Sequence, residues 1–136
     1  MKVLLIEDSG VVRKKIKRQI LKSFSGLTAA SILEAGTNHE VWDLVGQAKS
    51  SGELPDIILC DWNIPGLDGV NFVKEIKQDP VMKGIPIIMV TAESRTSKVK
   101  LAIEAGINDY LVKPFNPVNL IQKMNNIIFE RSKMKL

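Results

Sequence analysis

The chain has 136 residues, enough for one compact domain with a real core and too few for two domains of typical size. An apolar share of 45% beside a charged share of 25% is ordinary for a globular protein and excludes a disordered or low-complexity chain. The formal charge of +4 would suit an acidic partner or nucleic acid, but no recognition motif accompanies it and aromatic residues make up only 5%. We read Arg13, Lys14, Lys15, Lys17, Arg18 and Lys22 as a solvated helix face and Arg131, Lys133 and Lys135 as tail decoration.

Short apolar runs and amphipathic stretches alternate along the chain. Residues 3–6 predict a first strand, which stops at Glu7-Asp8. A helix follows with Val12, Ile16 and Ile20 spaced by four and the basic residues on its other face. Residues 29–33 read as a second strand. Thr37-Asn38-His39-Glu40 has the spacing of a capping box and opens a second helix carrying Val41, Leu44, Val45 and Ala48, with Ser50-Ser51-Gly52 as a loop after it. A third strand, 57–60, runs straight into Asp61. The third helix spans 68–78 with Phe72, Val73 and Ile76 inward. Strand 87–90 ends at Thr91, and a helix over 97–105 stops at Gly106, which suits a left-handed terminal position. Strand 110–112 ends at Lys113. Asn116-Pro117 then caps a last helix that buries Leu120, Ile121, Met124, Ile127 and Ile128.

Most strands are apolar at consecutive positions, so both of their faces are expected to be covered, as in a parallel sheet between helix layers. Five β-α units with right-handed crossovers give an α/β doubly wound sheet, whose functional crevice lies beyond the carboxyl ends of the strands. The single cysteine, Cys60, lies within a strand and excludes an internal disulfide. No leader and no bilayer-length apolar run is visible, so a cytoplasmic location is expected.

The strand ends bring together Glu7, Asp8 and Asp61 with the Thr91 hydroxyl and the Lys113 ammonium. Crowded carboxylates raise one another's pKa, and a hard divalent cation relieves that repulsion. An all-oxygen donor set favours magnesium, which tends to keep waters and a phosphate oxygen in its shell. A carboxylate there can act as the nucleophile and form an acyl phosphate, with positive charge and hydrogen bonds holding the phosphoryl oxygens.

Four blocks carry a resemblance. Ile6-Glu7-Asp8-Ser9, residues 59–69 reading LCDWNIPGLDG, Val90-Thr91-Ala92-Glu93 and Tyr110-Leu111-Val112-Lys113-Pro114-Phe115 resemble the signature of response-regulator receiver domains. The likeness spans nearly the whole chain and is nearest to stand-alone chemotaxis regulators. It implies a flavodoxin-like (βα)5 fold with strand order 2-1-3-4-5. It further implies phosphorylation of Asp61 by a histidine kinase, and Mg²⁺ held by Glu7, Asp8, Asp61 and the backbone carbonyl of Asn63. Thr91 and Lys113 would bind the phosphoryl group, Thr91 and Tyr110 would form the switch, and Asn63 and Glu93 would set the signal's lifetime. Lys113-Pro114 matches the family's cis peptide. Output to a protein partner would use the fourth helix, fifth strand and fifth helix, where Lys98, Val99, Tyr110, Asn119 and Lys123 fall. The expected layout is a receiver over 1–132 and a short basic tail over 133–136, with no DNA-binding domain and no membrane segment. Such a protein is not an enzyme in the usual sense, although it assists its own phosphorylation and dephosphorylation.

The chain departs from its nearest relatives by Glu7 in place of a first aspartate and by a long 38–55 segment. Rival readings are a receiver module of a longer transcriptional or hybrid-kinase regulator, an aspartate-based phosphatase and a flavodoxin. The phosphatase reading lacks its general acid, since Asn63 stands in that place. The flavodoxin reading fails because Glu7-Asp8 would repel a phosphate after the first strand. His39 is expected to be a surface residue and Trp62 to flank the pocket.

Overall fold

The computed structural model describes residues 1–92 and 96–134. Five strands form one parallel sheet: β1 (Val3–Ile6), β2 (Ile32–Ala35), β3 (Ile57–Asp61), β4 (Ile87–Thr91) and β5 (Asp109–Val112). Their order is β2-β1-β3-β4-β5. The connecting helices are α1 (Gly10–Ser23), α2 (Asn38–Ser51), α3 (Gly69–Gln78), α4 (Thr96–Ala105) and α5 (Pro117–Met134).

Side-chain alternation on each strand sorts the core into two layers. Leu4, Ile6, Ile58, Cys60, Ile87 and Met89 face α2, α3 and α4, where they meet Val41, Val45, Phe72, Val73, Ile76 and Ala102. Val3, Leu5, Ile57, Leu59, Ile88 and Val90 face α1 and α5 and pack on Ile16, Ile20, Leu120, Ile121 and Met124. Both faces of β1, β3 and β4 are therefore closed, as their unbroken apolar runs require. Each large side chain sealed in this way stabilises the fold by about 1.5–3 kcal/mol.

The second strand sits later than its sequence suggested. Residues 29–31 form a 3₁₀ turn, in which the Ser31 N–H donates to the Thr28 carbonyl at 2.9 Å and the Thr28 N–H donates to Ser31 Oγ at 3.1 Å. The strand proper pairs Val3 with Ile32 and Ile6 with Ala35. Glu34 interrupts its apolar run, and it belongs to the strand because Arg13 (3.3 Å) and Lys17 (2.9 Å) of α1 neutralise it. The expected loop at Ser50-Ser51 is instead the last turn of α2, which ends on Gly52 at φ +76°. Thr37 caps α2 by accepting from the Glu40 N–H at 3.2 Å. The return arm of the predicted box differs: the Thr37 hydroxyl donates to Glu40 Oε1 at 3.1 Å. Ile127 and Ile128 are only half-buried, since α5 runs past the edge of the core there. A small antiparallel hairpin, pairing Asn63 with Asp68 and Ile64 with Leu67, follows β3 and had no sequence signal beyond Pro65-Gly66.

Candidate functional site

Among the buried side chains of the described residues, three are polar: Glu7, Asp61 and Thr91. All three stand at the carboxyl ends of neighbouring strands, β1, β3 and β4. β3 is apolar until its last residue, so the chain has no choice but to present Asp61 at the rim. One Asp61 oxygen accepts from the Asn63 N–H at 3.2 Å, and the other accepts from Lys113 Nζ at 3.0 Å. The lysine arrives from just beyond β5, where its own N–H donates to the Thr91 carbonyl at 2.7 Å. Lys113-Pro114 is cis, as the resemblance implied.

Glu7 lies deeper than the other acids. Its Oε1 bonds Lys113 Nζ, and its Oε2 accepts from the Ser9 N–H at 3.2 Å. Lys113 thus bridges Glu7 and Asp61. Burial pulls its ammonium pKa down, but the hydrogen bonds and charges of the two carboxylates outweigh that and hold it above the ordinary lysine value. Asp8 is exposed at the mouth. Carboxylate oxygens of Glu7, Asp8 and Asp61 lie within 4.8 Å of one another. This donor set is all oxygen and carries more negative than positive charge, which fits a hard divalent cation such as Mg²⁺ and does not fit zinc.

Supports that the sequence did not announce hold this edge. Ser9 caps α1 by accepting from the Val12 N–H at 3.3 Å, which starts the helix directly after the acids. One turn along, Arg13 reaches back and donates to the Glu7 carbonyl at 2.7 Å. It passes over Gly36, where a Cβ would lie 2.8 Å from its Nη1. Gly69 opens α3 against the backbone of Trp62, and a Cβ there would come within 3.1 Å of Trp62 Cα and O. Asp68 caps the same helix at 2.9 Å from the Val70 N–H.

Trp62 is half-buried beside Asp61, and the Lys98 ammonium lies 6.0 Å from its ring. Tyr110 points outward, 38% exposed, with the Lys123 ammonium 6.0 Å from its ring. Asn63 is exposed. Glu93 lies outside the described residues. His39 is on the surface beside Asp43, away from the site. Cys60, one residue before Asp61, is fully buried; burial, then the charges of Asp61 and Glu7, push its thiol pKa far up.

A doubly wound parallel sheet whose carboxyl edge gathers an oxygen-rich acid cluster and one lysine defines the receiver class of signalling module. The chain belongs to that family: the response regulator receiver domain model matches residues 3–125. A chemotaxis protein CheY homolog of Campylobacter jejuni is 34% identical over 128 residues, covering 94% of this chain and 92% of the relative. Chemotaxis protein CheY1 of Helicobacter pylori is also 34% identical, over 94% of this chain and 97% of its own length. The solved structure of the chemotaxis response regulator CheY4 of Vibrio cholerae superposes with a TM-score of 0.75 at 28% identity, covering 93% of this chain and 97% of that one. The protein is thus a receiver domain of a two-component response regulator with CheY-like relatives. Among the described residues, no helix is long and apolar enough to cross a membrane.

Proposed function

We propose that the protein is the phosphoacceptor of a two-component relay, taking a phosphoryl group on Asp61 from a histidine kinase. The observation that carries this reading is the Asp61 carboxylate itself. It is buried at the end of β3, fixed by the Asn63 N–H and Lys113, and has two further acids within ligand distance. An Asp61 oxygen would form a bond to phosphorus as the phosphorus–nitrogen bond of the donor's phosphohistidine breaks, its electron pair staying on the imidazole. Lys113 neutralises charge on Asp61 before transfer and on the phosphoryl oxygens after it. Glu7 keeps Lys113 in place from behind. The Thr91 hydroxyl, one strand over, supplies a hydrogen bond to the same oxygens.

Glu7, Asp8, Asp61 and the Asn63 carbonyl would hold Mg²⁺, which supplies charge neutralisation at the phosphoryl group. Phosphorylation then biases an existing equilibrium: Thr91 is drawn towards the phosphoryl group and Tyr110 turns from its outward position into the space released. The shift alters the face formed by α4, β5 and α5, which binds a protein partner in chemotaxis or flagellar control. Likeness to chemotaxis proteins over nearly their whole length supports this assignment. We take 1–132 as the receiver and 133–136 as a basic tail, a cytoplasmic location, and Asn63 and Glu93 as the residues that tune hydrolysis.

Intact mass against time after adding acetyl phosphate and Mg²⁺, with Asp61→Asn as control, tests the proposal. One phosphoryl adduct that requires Mg²⁺ and vanishes in the variant is the expected result. No adduct on the native chain would overturn it.

A further inference from the structure

A cavity with charged groups at its wall lies at the opposite end of the sheet, by the amino ends of β4 and β5. It is an open cleft of about 540 Å³, lined by residues from the end of α3, the segment before β4, the start of β5 and the last turns of α5. Three cations line it: Lys77, Lys83 and Arg131. None of them makes an ion pair with a carboxylate among the described residues. Lys77 Nζ donates to the carbonyls of Ile85 (2.9 Å) and Lys83 (3.4 Å), and Arg131 Nη1 donates to the Asp56 carbonyl at 2.7 Å. Backbone carbonyls therefore hold both groups in position, and among the described residues neither cation is ion-paired.

Lys77 is also partly desolvated. Burial, then the nearby positive charge of Arg131, lowers its ammonium pKa. Its aliphatic stem lies against Gly106, where a Cβ would come within 2.9 Å of Cγ. Asn108 adds an oriented amide: its Oδ1 accepts from the Ile87 N–H at 2.9 Å, which leaves its NH₂ group for another acceptor. Two carboxylates share the lining. Asp109 is already paired with Lys123 at 2.9 Å, outside the cavity, and Glu130 is exposed.

We propose that this cavity is a binding site for a small phosphate-bearing anion, independent of the phosphoryl pocket at the other end of the sheet. Two fixed, mutually repelling cations are stabilised by a shared polyanion, and planar Arg131 with the point charge of Lys77 suits phosphate oxygens. The volume exceeds that of a single phosphate and admits a diphosphate group with part of an attached organic moiety.

The test is a pyrophosphate titration of the full chain without Mg²⁺, followed by backbone amide shifts in two-dimensional NMR. Without the metal, the acid cluster around Asp61 repels the probe, so the two ends report separately. Saturable shifts at Gly84 and Asn108, absent at Asn63 and weakened about tenfold or more by Lys77→Gln or Arg131→Gln, are expected. Lys83→Gln, on an exposed side chain, gives the same reading should those variants fail to fold, with a smaller expected loss. Shifts reproduced by sodium chloride of equal ionic strength, shifts unchanged in the variants, shifts confined to the Asp61 end, or none at all would each overturn the site.

Discussion

At the residue scale, Lys113 has two tasks with one ammonium. It cancels charge on Glu7, which is 2% exposed, and on Asp61, and it would later meet the phosphoryl group. Lys113→Met leaves two buried acids without their counter-charge. We expect a loss of about 2 kcal/mol in urea titrations without metal, less than the roughly 3–5 typical of fully enclosed pairs because the lysine keeps solvent access. Mg²⁺ should restore part of the loss, and an unchanged midpoint in either condition would show that the carboxylates are stabilised by other means. Cys60 gives a second residue-level test. Its thiol is sealed in the core and its pKa is raised, so a thiol reagent at mildly alkaline pH should label native protein far more slowly than urea-unfolded protein. Equal rates would mean that β3 opens readily.

At the scale of elements, the rim depends on close backbone approaches. Gly69→Ala sets a Cβ 3.1 Å from the Trp62 backbone, which cannot rotate out of the way, so α3 must shift from the loop that follows Asp61. A loss of about 1–3 kcal/mol in denaturant unfolding is expected, with phosphorylation slowed as well. Glu34 gives a pH prediction. Its hydrogen bond to Lys17 leads the effects that hold its pKa below the ordinary 4.5, with Arg13 adding to it. A depressed carboxylate pKa contributes stability above pH 4.5, and that stability is lost as pH falls through the folded value. Glu34→Gln should therefore cost under about 1 kcal/mol at neutral pH, with the difference from native protein shrinking in acid denaturation curves below pH 4.5.

These elements also show how far sequence reading reaches. Runs such as residues 57–60 announced β3 and placed Asp61 at its end, because a strand covered on both faces leaves an unmistakable apolar block. Glu7, Asp61, Thr91 and Lys113 were legible for the same reason: each is the first polar residue after such a block, and Asp8 follows Glu7 directly. β2 was misplaced because Glu34 is an acid inside a strand, and only the tertiary contacts of Arg13 and Lys17 explain it. Arg13 itself read as one of several solvated cations, and nothing local distinguishes the one that grips the Glu7 carbonyl. The Gly69–Trp62 approach is likewise a contact between backbones, which no side-chain pattern encodes.

At the scale of the whole molecule, the two core layers lie on opposite faces of the sheet. Its inner strands, β1, β3 and β4, are hydrogen-bonded on both sides, while β2 and β5 each lack one neighbour. Amide hydrogen exchange should be slowest in β1, β3 and β4 and faster in β2 and β5. A reversed order would show that the helix layers, and not the central strands, set the most stable unit.

The closed faces of the sheet have one more consequence. An interior packed with side chains on both sides deforms little, so the strands serve as fixed axes for everything attached to them. The phosphoryl charge proposed for Asp61 would therefore move the strands themselves little. If that proposal holds, two states superposed on their strands would differ chiefly in the connections around the carboxyl rim and the helix ends joined to them.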